Sequence, residues 1–236
     1  MAALLAGSLA MSAQTDSERY EQRYELLVSK MGAAGLGVET VLDNWEKVDS
    51  LNPKMLLGRF SYWYAKAQST QVVMKDTRKY LGMEPILTLK DSLGKDVFYF
   101  QEVVFDDELY GQAMKAAEKA VAAWPDRLDL RLVKANAYIA YEKESPDMAL
   151  AYLQDLIREN AARKTAWDYN GVEADDEFFE EVMQEYCFSF YTIGSPVAQE
   201  AFHTLSKQLF EIYPDNMVFL NNIGSYHLLK RDYKTA

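Results

Sequence analysis

Pro214-Asp-Asn-Met-Val-Phe-Leu-Asn-Asn-Ile-Gly-Ser-Tyr-His-Leu-Leu-Lys-Arg-Asp-Tyr-Lys-Thr-Ala236 is the stretch on which the reading of the fold turns. Pro214 stops one helix, and Asp215 and Asn216 supply the turn. A new helix follows, with Leu220, Ile223, Gly224 and His227 at i, i+3, i+4 and i+7. That spacing predicts a single buried stripe. Arg231, Asp232 and Tyr233 break the helix, and Ala236 opens another.

Upstream, the same alternation of helix and Pro or Gly punctuation recurs. Helices are predicted over 17–31, 38–50, 55–68, 107–124, 128–141, 147–160, 175–193 and 196–213. Tyr20, Tyr24, Leu27 and Met31 form the stripe of the first, and Val41, Trp45 and Val48 that of the second. Ala113, Ala117 and Ala120 recur on one face of the helix before Pro125. The 128–141 segment is less regular, because Arg131 and Lys134 fall on nominal core positions.

Two segments change period, residues 69–106 and residues 161–175. Residues 86–90 and 97–105 are β-branched and aromatic runs around Asp91-Ser-Leu-Gly94, which predicts a β-hairpin inserted at about 84–106. Residues 161–175 read as a polar connector containing Asp168-Tyr-Asn-Gly171.

The quoted stretch resembles a tetratricopeptide repeat. A large apolar residue, a small Gly, an aromatic, an Asp-Tyr turn and a small Ala recur there at that family's offsets within a 34-residue helix–turn–helix unit. The resemblance implies an all-α, tetratricopeptide-like helical-hairpin solenoid over 14–236, with the inserted β-hairpin and an incomplete last repeat. It also implies a concave binding surface lined by the first helix of each pair. Carried across, that surface takes Leu57, Phe60 and Tyr64, then Gln184, Cys187 and Tyr191, then Val218, Asn221, Ser225 and Leu228. Members that grip a terminal carboxylate use a Lys and Asn clamp. Here Asn221, Cys187 and Phe60 stand at clamp positions, so the groove departs from that pattern and suits an extended or helical apolar segment.

The 236 residues carry a net charge of −11 and are rich in aromatics, with 16 Tyr, 11 Phe and 4 Trp. The acidic balance argues against nucleic acid, which requires a Lys/Arg surplus to release counterions, and against anionic lipid. Residues 1–13 are uncharged, small and apolar. They read as the remnant of a secretory signal peptide, too short to span a bilayer and therefore no membrane insertion. The Ser12-Ala13-Gln14 ending is similar to cleavage regions of exported proteins of Bacteroidetes-type bacteria, which implies a periplasmic or cell-envelope location. Asp91-Ser92-Leu93 and Asp49-Ser50-Leu51 resemble the short O-glycosylation sequons of such proteins.

Catalytic and metal constellations are not found. Gly32-Ala-Ala-Gly35-Leu-Gly37 follows a helix rather than a strand and reads as a helix end and turn. His203 and His227 have no neighbouring ligand set for zinc. The acidic run from Asp175 to Glu181 lacks the alternating oxygens and Gly of a calcium loop, and suits the opening of a helix. Cys187, the single cysteine, reads as a small buried hydrophobe. The expectation is a non-catalytic scaffold, without cofactor or metal, that holds a peptide or partner protein. A homo-oligomer through the unfinished last repeat is a further expectation. The alternative is the N-terminal helical-repeat part of a larger cell-envelope protein whose activity lies beyond residue 236.

Overall fold

Helices begin where a side-chain oxygen can meet the free amides of a first turn. The structure, a computed structural model, describes residues 15–235. The expected leader over 1–13 and the helix expected to open at Ala236 lie outside the described residues. Thr15 and Glu18 form a reciprocal capping box ahead of α1 (Asp16–Met31). Asn52 caps α3 (Pro53–Ala67), with Pro at its first position. Asp106, Asp175, Ser195 and Asn216 cap α4 (Asp107–Ala123), α7 (Asp176–Ile193), α8 (Pro196–Ile212) and α9 (Met217–Leu229). The remaining helices are α2 (Val38–Val48), α5 (Leu128–Glu142) and α6 (Asp147–Ala162). The observed ends of the eight helices before α9 fall within two residues of those read from sequence.

Consecutive helices pack in pairs: α1 on α2, α3 on α4, α5 on α6 and α7 on α8, with α9 lying on α8. Neighbouring pairs meet through α2 and α3, through α4 and α5, and through α6 and α8. The small residues work as their spacing requires. Ala113, Ala116 and Ala117 are buried against Phe60 and Ala67, so α4 lies close along α3. The largest apolar cluster joins α5 to α9 around Leu153, Ile157, Phe179, Phe190, Leu205 and Phe219. A second, around Trp45, Leu42 and Met55, ties α1, α2 and α3 together.

Arg131 and Lys134 do sit at an inter-helix face. Arg131 reaches Glu159 at 3.1 Å and donates to the Pro125 carbonyl at 3.2 Å, and Lys134 pairs with Glu118 at 3.4 Å. Their stems pack in the helix pair while the charged ends find partners at its margin.

The chain is mostly helical with a small antiparallel sheet, and the sheet extends the expected hairpin. Strand β1 (Gln68–Lys75) leaves α3 directly and pairs with β3 (Asp96–Phe105), which also pairs with β2 (Leu87–Lys90). The order is β1-β3-β2, so the hairpin expected at about 84–106 is present as β2 and β3, and β1, at the start of the segment where the period changes, adds a third strand. The polar connector is corrected, because β4 (Trp167–Tyr169) and β5 (Val172–Ala174) form a second hairpin. Asn170 and Gly171, with φ of 54° and 84°, adopt the left-handed turn that Asn-Gly favours.

Candidate functional site

The sheet is fixed to the helices by a buried polar group. Glu102, on the central strand, accepts from Tyr80 Oη at 2.8 Å, Lys143 Nζ at 2.9 Å and Gln71 Nε2 at 3.1 Å. Burial alone would raise its carboxyl. The three donors outweigh burial and hold it down at about 2. Lys75 lies 3.8 Å from the centre of the Tyr80 ring and 3.6 Å from Glu144. Gly82, at φ 76°, sits so close to α7 that a Cβ there would meet Thr192 Cγ2 at 2.4 Å. The insertion therefore reaches from α3 across the ends of α5 and α7.

A groove borders α3, α5 and α7 as well. One depression of about 400 Å3 is bounded by Leu57 on α3, Leu132 and Asn136 on α5, Asn170 of the β4–β5 turn, and Tyr186 on α7. A second, of about 830 Å3, lies between α7 and the start of α9. Val182 and Glu185 border both, so the two adjoin along α7. Carboxylates dominate the second: Glu177, Glu180, Glu181, Glu185 and Asp215 surround Val182 and Val218. The larger depression is thus acidic with apolar spots. Glu177, Glu180 and Glu181 come from the acidic opening of α7, which the sequence reading took only as favourable to starting a helix, whereas Glu185 lies further along α7 and Asp215 in the turn before α9.

The residues expected on the concave surface divide. Leu57 borders the smaller depression, and Gln184 and Val218 border the larger. Gln184 is tied to α9, where Asn222 Nδ2 donates to its Oε1 at 2.7 Å. Asn216 binds Glu180 at 2.7 Å, which closes the same seam. Asn221 and Leu228 are exposed on α9, and Ser225 Oγ donates to the Asn221 carbonyl. Phe60 is buried and stacks on Tyr64 at 5.1 Å, and Tyr64 packs on Phe105 and Tyr110, so this pair faces α4. Tyr191 packs edge-on against Phe202 of α8. Cys187, on the same stripe, is fully buried with Ser206 donating to its Sγ at 3.5 Å. Burial pushes that thiol up to about 12, so it stays protonated.

The last helix also differs from its expected face. Phe219, not Leu220, is the buried residue, and Asn222 and Tyr226 continue its stripe. Leu220, Leu228 and Leu229 are exposed, and a Cβ at Gly224 would meet nothing within 4 Å.

The sequence matches no family model, no curated protein and no solved structure. The resemblance to tetratricopeptide repeats therefore rests on the residues themselves. No helix of the described residues is long and apolar enough to cross a membrane.

Proposed function

We propose that this chain is a non-catalytic, tetratricopeptide-like scaffold that holds an extended segment of a partner protein along the α7 groove. The observation that carries this reading is the two adjoining depressions, which together reach from Leu57 on α3 to Val218 on α9. Concave, mixed surfaces of this size suit a peptide. The ring of Glu177, Glu180, Glu181, Glu185 and Asp215 selects a segment with Lys or Arg, and the two valines take its apolar side chains.

The test is fluorescence anisotropy with labelled extended peptides that alternate Leu with either Lys or Glu. The Lys series binds and weakens as salt rises; the Glu series does not. The double change Glu181→Lys with Glu185→Lys lowers affinity for the Lys series by about tenfold or more. Equal binding of both series, or binding indifferent to those changes, overturns the reading.

A second reading makes the chain the helical-repeat part of a larger cell-envelope protein. It is favoured by α9, whose exposed Leu220, Leu228 and Leu229 flank the open Gly224. That is a face suited to receive a further helix.

A further inference from the structure

We infer that strand β1 pairs along its open edge with β1 of a second copy of this chain, joining two three-stranded sheets into one. In the order β1-β3-β2, β1 has a neighbour on one side only among the described residues. The Asp106 amide donates to the Ala67 carbonyl at 2.8 Å, which fixes the phase of the β1–β3 ladder. By alternation, Gln68, Thr70, Val72 and Met74 direct their amides and carbonyls away from β3. Their side chains share one sheet face with Tyr99, Val103 and Leu87, and Val72 and Met74 are each 62% exposed.

Open edges of this length ordinarily carry charge, proline or a bulge that discourages pairing. Gln68-Ser-Thr-Gln-Val-Val-Met74 has no charge and no proline, and its register with β3 runs without a skipped residue. The other edge, β2, has four residues, and each edge strand ends on a lysine, Lys75 in β1 and Lys90 in β2.

Charge argues for a second copy. The chain as a whole carries −11, so two copies repel over most of their surface. Residues 68–105 hold five Lys or Arg and five Asp or Glu, so this segment is neutral and the rest of the chain bears the whole excess. Two copies meet there with the least repulsion. Antiparallel pairing centred on Gln71 is self-complementary. It sets Thr70 against Val72 and Gln68 against Met74, and it keeps the two Lys75 side chains at opposite ends. A foreign strand would draw specificity from pockets for alternate side chains, whereas Thr70, Val72 and Met74 stand on an open face.

The test is light scattering coupled to size exclusion on the full chain over a concentration series, with Thr70→Pro and Val72→Lys. Proline at residue 70 removes an outward donor and leaves the β1–β3 ladder intact. The chain dimerises, and each variant raises the dissociation constant by about tenfold or more with an unchanged helical circular dichroism spectrum. If Thr70→Pro loses that spectrum, Val72→Lys decides. A monomer at every concentration overturns the inference, as does a dimer indifferent to both variants. A dimer dissolved instead by Leu228→Lys places the contact on α9, and it too overturns the inference. The groove variants Glu181→Lys and Glu185→Lys leave the dimer unchanged, so this outcome is separable from that of the peptide experiment.

Discussion

Across α6 to α9, Leu153, Ile157, Phe179, Phe190 and Phe219 are almost wholly buried and their neighbours are apolar. Across β1 to β3, Val72, Met74, Leu87 and Leu89 remain in water. The sheet closes on the helices through Glu102, met by Lys143 at the end of α5, and through Phe105 against Tyr64, Tyr110 and Tyr141. The first region is held by non-directional burial, where a lost methylene weakens every neighbour. The second leans on a directional group beside the Phe105 packing, and removing Lys143 leaves the Glu102 charge buried without its cation. Failure should therefore be global in one region and local in the other.

Phe179→Ala should have the largest effect. Phe179 is fully buried, and truncation leaves a cavity bordered by helices that cannot all collapse into it. The expected cost is about 3–5 kcal/mol, read by urea denaturation followed by far-ultraviolet circular dichroism. Hydrogen exchange should quicken throughout α6 to α9 together. If only α7 amides quicken, the cluster does not act as one cooperative unit.

Glu102→Gln comes next and sharpens the contrast, because its loss should be confined to the sheet. The folded carboxyl titrates at about 2 against an ordinary 4.5. Its contribution is complete above about pH 4.5 and disappears as pH falls from there towards 2. Gln keeps the shape but not the charge that meets Lys143. At pH 7 the variant should release the strands at a cost of roughly 2 kcal/mol, seen as faster exchange of β3 amides with α7 and α8 unchanged. Between pH 4.5 and 2 the original chain should lose sheet protection and the variant should lose less. Parallel loss in both would remove Glu102 from the account.

The helical framework was legible because its signals are local. Asn52-Pro53, Asp106, Asp175, Ser195-Pro196 and Asn216 mark helix starts in the sequence, and each caps a helix in the structure. Faces were less legible where apolar residues crowd. Met217, Val218, Phe219 and Leu220 are consecutive, so a 3.6-residue period admits more than one stripe, and tertiary packing selected Phe219. The same crowding on α7 turned Cys187 and Tyr191 towards α8 and left Val182 and Glu185 to line the groove. Strand β1 escaped because Gln68-Ser-Thr-Gln71 is polar on both faces and carries no alternation. The Glu102 group joins residues from two strands, a loop and the end of a helix, and no sequence spacing announces that convergence.

The smallest effects separate a packed glycine from an open one. A Cβ at Gly58 would come within 2.9 Å of the Tyr24 ring and 3.0 Å of Leu42, where α3 crosses α1 and α2. Gly58→Ala should force those side chains apart and destabilise by about 1 kcal/mol, net of its better helix propensity. Gly224 stands in a helix interior with no such neighbour. Ala there relieves the backbone entropy of glycine without a clash, so Gly224→Ala should stabilise by about 0.5–1 kcal/mol in thermal denaturation. The sign is the informative part. A second copy or a further helix seated on α9 would meet the new methyl as Tyr24 meets one at residue 58. Stabilisation thus marks the α9 face as open in the species measured, and destabilisation marks it as covered.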